Sequence, residues 1–120
     1  MIRALAAAAL LPLAAAASDP LAGRVAGAPQ RCIDNRIADG PNIVDGQTIL
    51  YRRGAIVWRT SPVGYCPSLR PFTTLIVEQF GGQTCRNDRF RTIDPTMRIP
   101  SAYCRFGDFV PYRKVKARTG

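Results

Sequence analysis

The sequence predicts a small all-β domain, stapled by disulfides and preceded by a cleaved signal peptide. Three observations carry that expectation. Short β-rich runs alternate with glycine- and proline-bearing turns, four cysteines are present, and the chain opens on an alanine-rich apolar leader. Short strands at close spacing belong to a β-meander, a sandwich or a partly open barrel. After the leader no segment has helical periodicity, and no internal repeat is evident.

The leader begins Met1-Ile2-Arg3, a short region with one positive charge. Residues 4–13 are apolar except for Pro12, and Ala14 to Ala17 supply small side chains before Ser18-Asp19-Pro20. A charged start, a short apolar stretch and an Ala-x-Ala site make a secretory signal peptide, here residues 1–17. The stretch is too short for a membrane anchor, and no later segment is apolar enough to span a bilayer. The chain is therefore expected in the periplasm or outside the cell. Removing the leader takes Arg3 with it, one positive charge fewer than the +9 of the whole chain.

Residues 18–30 hold Pro20, Gly23, Gly27 and Pro29 and read as a flexible lead-in. A single β domain is expected over residues 31–112. Asp39-Gly40-Pro41 is a turn signal. The meander is clearest from Ile43 to Thr60. Ile43-Val44 is a short strand, Asp45-Gly46 a type I′ hairpin dipeptide, and Thr48 to Arg52 a second strand. Arg53-Gly54 turns the chain into a third strand, residues 55–60. There Ile56 and Trp58 share one face and Val57 and Arg59 the other. Residues 61–71 carry three prolines, Gly64 and Cys66, and form a loop. Residues 72–80 are β-rich. Gly81-Gly82 signals a hairpin to a return strand over residues 83–93, which contains Cys85. Asp94-Pro95 and Ile99-Pro100 punctuate the next loop. Two short strands, residues 102–106 and 109–112, close the domain around Gly107-Asp108. Residues 113–120 form a basic tail that frays.

Four cysteines in an exported chain of this size indicate two disulfides. Cys32, Cys66, Cys85 and Cys104 contain no Cys-x-x-Cys pair, which argues against a thioredoxin-like redox motif or a zinc ribbon. The chain has no histidine. That removes His-based metal sites and every Ser-His or Cys-His nucleophile. No metal and no cofactor is implied. Three pairings are open to four cysteines. The preferred one is Cys66–Cys85 with Cys32–Cys104, tying a loop to the neighbouring hairpin and joining the ends of the domain.

Fifteen arginines stand against two lysines, with only eight acidic residues. GC-rich coding explains the choice of arginine, together with the alanine, glycine and proline. It does not explain the shortage of acids. A basic surface suits anionic envelope components such as lipopolysaccharide, and nucleic acid is a further candidate; another protein is the alternative partner. The candidate anion-binding residues are Arg86, Arg89 and Arg91, of which the last two share a strand face, and Arg113, Lys114 and Lys116 of the tail. The bland reading of these arginines is a solvated face. Phe90, Phe106, Phe109 and Tyr112 lie near them and are expected in the core.

Catalysis has little to build on. Glu78 is the single glutamate and the aspartates fall in turns, where Asp is common for backbone reasons. A two-carboxylate glycosidase would have to draw on Glu78 and these turn aspartates, and a small cationic hydrolase using Glu78 with arginine clamps would lack the usual histidine acid. No phosphate-binding glycine loop is present.

One set of short motifs resembles a family of small exported proteobacterial proteins of unknown function. The residues are Arg31-Cys32-Ile33, Val44-Asp45 before Thr48-Ile49, Cys66-Pro67-Ser68-Leu69, the single Cys85, and Cys104-Arg105. The family's loop reads Cys-Pro-Gly-Leu, and Ser68 replaces that glycine here. The resemblance implies an exported, disulfide-bearing domain. Together these readings lead to a non-catalytic exported module, associated with the envelope or with another protein.

Overall fold

Ten strands and no helix make up residues 19–79 and 81–115, the part of the chain that a computed structural model describes. The expected signal peptide, residues 1–17, and Lys116 with the rest of the tail lie outside the described residues, as does Phe80.

The meander stands where the turn dipeptides place it. β3 (Asp39–Asp45), β4 (Thr48–Arg53) and β5 (Ile56–Thr60) are consecutive antiparallel strands. β10 (Val110–Lys114) adds beside β5, and β1 (Arg24–Ala26) beside β10, giving the five-stranded order β1-β10-β5-β4-β3. Two smaller sheets complete the fold. β2 (Cys32–Asp34) pairs with β7 (Gln83–Cys85), and β6 (Thr74–Val77) pairs with β8 (Arg89–Ile93), which pairs with β9 (Cys104–Arg105).

The core lies between the sheets. Ile49, Tyr51 and Trp58 project from one face of β4 and β5, and they meet Ile33 from β2 and Phe90 from β8. Leu69 and Cys66 of the proline-rich loop and the linker residues Phe106 and Phe109 fill the middle. Phe90, Phe106 and Phe109 are fully buried, as expected from sequence, and Tyr112 is half-buried. Successive ring centroids lie 4.5 Å apart for Phe90–Phe106, 5.7 Å for Phe106–Phe109 and 6.1 Å for Phe109–Tyr51. This row of rings crosses from the three-stranded sheet to the five-stranded one. The Trp58 indole N–H donates to the Gln30 side-chain oxygen at 3.0 Å, so the ring is buried with its polar atom satisfied.

Four expectations are corrected. The disulfides are Cys32–Cys85 and Cys66–Cys104, not Cys66–Cys85 with Cys32–Cys104. Register decides the first: Cys32 and Cys85 are direct cross-strand partners in the β2–β7 ribbon. The second ties the proline-rich loop to β9. The supposed lead-in is also structured. Arg24, Val25 and Ala26 pair with Lys114, Arg113 and Tyr112, and Gln30 exchanges backbone hydrogen bonds with Phe109. The domain thus extends beyond residues 31–112 at both ends, and Arg113 and Lys114 belong to a strand rather than to a fraying tail.

The other two corrections concern glycine signals. Gly81-Gly82 does not close a hairpin between adjacent runs. β6 skips past β7 to pair with β8, while β7 reaches back to β2, where the Asn35 N–H donates to the Gly82 carbonyl. Asp39-Gly40-Pro41 is no turn either: it lies inside β3 at a register shift. A Cβ on Gly40 would stand 2.9 Å from the Leu50 carbonyl oxygen, so the glycine lets two backbones approach. Gly107 does the same in the final linker. Its N–H donates to the Ser61 carbonyl at 2.8 Å, and a Cβ there would meet that oxygen at 2.7 Å. The two short strands around it join different sheets.

Non-reducing peptide mapping will recover Cys32 linked to Cys85 and Cys66 linked to Cys104; a fragment joining Cys66 to Cys85 would overturn the fold described. Truncating the central ring, Phe106→Ala, will lower unfolding free energy by about 3–5 kcal/mol in urea titration, because a fully buried phenyl leaves a cavity.

Candidate functional site

Alternation along β8 places the site. Phe90 and Thr92 point into the protein and are buried, so Arg89 and Arg91 point out. β9 repeats the pattern. Cys104 stands opposite Phe90 and turns inward to its disulfide, which leaves Tyr103 and Arg105 on the outer face. Arg89 and Arg105 are direct cross-strand partners. β6 contributes Ile76 opposite Arg91, and Glu78 follows the strand.

The outer face of this three-stranded sheet therefore carries three arginines, one tyrosine and one carboxylate. The guanidinium carbons of Arg89 and Arg91 lie 4.7 and 4.5 Å from the centre of the Tyr103 ring. Two cations thus share one aromatic platform. Arg91 donates to the Tyr103 hydroxyl at 2.6 Å, and Arg89 donates to Glu78 Oε2 at 3.0 Å. Hydrogen bonding from the Tyr103 hydroxyl holds the Glu78 carboxyl below its ordinary value; desolvation opposes this, and the Arg89 charge adds to the lowering.

This arrangement leaves positive charge in excess. Like charges directly opposite one another across a strand pair destabilise a sheet, and Arg89 faces Arg105 with a single carboxylate nearby. Neighbouring guanidinium groups suit the oxygen pairs of phosphate, sulfate or carboxylate.

The other sequence candidates do not join the group. Arg86 is engaged by Asp108 at 3.3 Å. Arg113 and Lys114 lie on β10 in the five-stranded sheet, opposite Val25 and Arg24 of β1. Lys116 is outside the described residues. Arg36 and Arg70 are held by Asp34 and Asp94, which accounts for two of the turn aspartates. Tyr103 and Arg105 were missed as site residues. The signal was present in their spacing: residues two apart around an inward-facing cysteine share the opposite face.

A well-formed cleft lies elsewhere. It encloses about 390 Å³ between the β3–β4 turn and the proline-rich loop, lined by Asp45, Gln47, Tyr65, Pro67, Leu69 and Pro71 among others. Tyr65 is 88% exposed, and Phe72, next after Pro71, is 95% exposed. No group of three or more metal-binding side chains occurs among the described residues.

The Glu78 coupling has a pH signature. Its folded value is depressed, so its contribution to stability is complete above the ordinary value near 4.5 and is lost as pH falls through the lowered folded value. In a carbon-detected NMR titration the Glu78 carboxyl will show a midpoint below 4.5, and Tyr103→Phe will move that midpoint upward. An unchanged midpoint in the variant would remove Tyr103 from the network.

Comparison with protein-family models, with curated proteins and with solved structures returned no match for this chain, so the resemblance to small exported proteobacterial proteins rests on its short motifs alone.

Proposed function

We propose that this protein is a non-catalytic exported domain that binds anionic groups on the outer face of β6, β8 and β9. The observation that carries the reading is the stack of Arg89 and Arg91 on Tyr103 with Arg105 alongside. Two disulfides point to an oxidising compartment. Together with the signal-peptide reading of residues 1–17, this supports a place in the periplasm or outside the cell. There the phosphates of outer-membrane lipid are anions that suit an arginine cluster. Nucleic acid offers the same phosphate chemistry.

The chemistry of Glu78 supports binding over hydrolysis. A general acid at neutral pH needs a carboxyl whose value is raised by burial. Glu78 is ionised, engaged by Arg89 and shifted the opposite way. Its place is that of a counter-charge that orients an arginine. A second reading, docking of another protein, draws on the exposed rings of Tyr65 and Phe72 beside the large cleft.

Retention on immobilised heparin and on lipopolysaccharide vesicles tests the first reading. Binding will be strong at about 50 mM salt and fall steeply as salt rises, with each arginine contact contributing about one unit of log–log slope. Arg91→Gln will weaken it about tenfold, as loss of one charge-assisted contact implies. Arg113→Gln with Lys114→Gln removes two charges from the other sheet and will change it by less than about threefold. Equal losses from both sets would reduce the effect to net charge. No retention at low salt would refute the reading.

A further inference from the structure

We propose that β6 is a pairing edge and that its partner is β6 of a second copy of this chain, forming a two-fold dimer with a continuous six-stranded sheet. β6 lies at the end of the β6-β8-β9 order, and among the described residues it pairs with no strand on its other side. The Glu78 N–H donates to the Arg89 carbonyl at 3.0 Å. In an antiparallel ladder the backbone groups alternate in direction, so Glu78, Ile76 and Thr74 face β8. Leu75 and Val77 direct their N–H and C=O groups outward.

The remaining edges carry features that block such pairing, and β6 does not. β3 holds Pro41, two aspartates and two register shifts. β1 has three residues, β2 and β7 three each, and β9 two. Short strands, prolines, bulges and charges are the devices that protect an edge. β6 reads Thr-Leu-Ile-Val, uncharged and without proline, and three of its four residues are β-branched.

The strand is also complementary to itself. The outward groups must meet outward groups, so one register places Leu75 opposite the copy's Val77 and Val77 opposite its Leu75. Ile76 then lies on the two-fold axis against its own equivalent. Thr74 faces the Glu78 of the copy, a hydroxyl beside a carboxylate. No like charges are opposed within this pairing, and the central contact joins two aliphatic β-branched side chains. Directly opposite residues share a face, so the arginine faces of both copies come out on one side. The dimer does not depend on anion binding: it follows from the strand alone, and it is measured without any anionic ligand.

Sedimentation equilibrium of the disulfide-intact protein between about 1 µM and 1 mM tests it, a range that spans the affinities of small interfaces. A concentration-dependent monomer–dimer equilibrium is expected. A monomer throughout would overturn the proposal, and an extended segment of another protein would then be the occupant to seek. Ile76→Lys, which sets a charge against itself on the axis, will give a monomer with unchanged circular dichroism. A dimer that survives this change uses another surface and overturns the assignment. Thr74 tests the register without touching the core. Thr74→Arg, facing Glu78 of the copy, will tighten the dimer, and Thr74→Glu will loosen it, each by roughly 2- to 10-fold for an exposed pair counted twice. Equal dissociation constants for these two variants would rule out the register.

Discussion

The row of rings from Phe90 through Phe106 and Phe109 to Tyr51 is the contact on which the rest of the fold depends. The five-stranded and three-stranded sheets share no strand, and backbone bonds join them at their flanks, as from the Val63 N–H to the Arg105 carbonyl. The rings fill the space between them, and two of the four come from the linker between β9 and β10. That linker must cross from one sheet to the other at close quarters. It succeeds because Gly107 lies against the Ser61 carbonyl, where any side chain would collide. A small glycine and two large phenyl groups within four residues thus set the distance between the sheets.

The disulfides act around this core rather than in place of it. Cys32–Cys85 locks a two-stranded ribbon of three residues a side, a unit too short to persist in water alone. Cys66–Cys104 anchors β9, which is only two residues long, to a loop that prolines already constrain. Each bond thus secures a strand that pairing by itself would leave marginal. By loop-closure entropy each contributes about 4 kcal/mol at separations of 53 and 38 residues.

What could be read from the sequence follows the range of the interactions. The meander from β3 to β5 was legible because its turns are local: Asp45-Gly46 and Arg53-Gly54 specify where each strand reverses. The outward projection of Arg89 and Arg91 was legible because alternation is a property of one strand. Pairings between distant segments were not. Arg24 lies opposite Lys114, and three residues carry too little periodicity to announce a strand. Gly81-Gly82 resembles a hairpin turn, yet β7 has a better partner in β2, where Cys85 meets Cys32. The disulfide pairing was missed for the same reason, since it follows from that register and from nothing local. Tyr103 was overlooked because its role arises only when β9 lies beside β8.

The arginine face is itself a product of the core. β8 can show Arg89 and Arg91 to solvent because Phe90 between them is committed to the ring stack. β9 can show Tyr103 and Arg105 because Cys104 between them is committed to its disulfide. The inward partners Phe90 and Cys104 stand directly opposite each other, which brings Tyr103 between the two arginines of the neighbouring strand. Every group on that surface is positioned by the residue beside it that faces the other way. A two-residue strand has little backbone bonding with which to hold its register. The Cys66–Cys104 bond supplies the restraint, so reduction of that one disulfide would release Tyr103 from the arginines before it disturbed the five-stranded sheet.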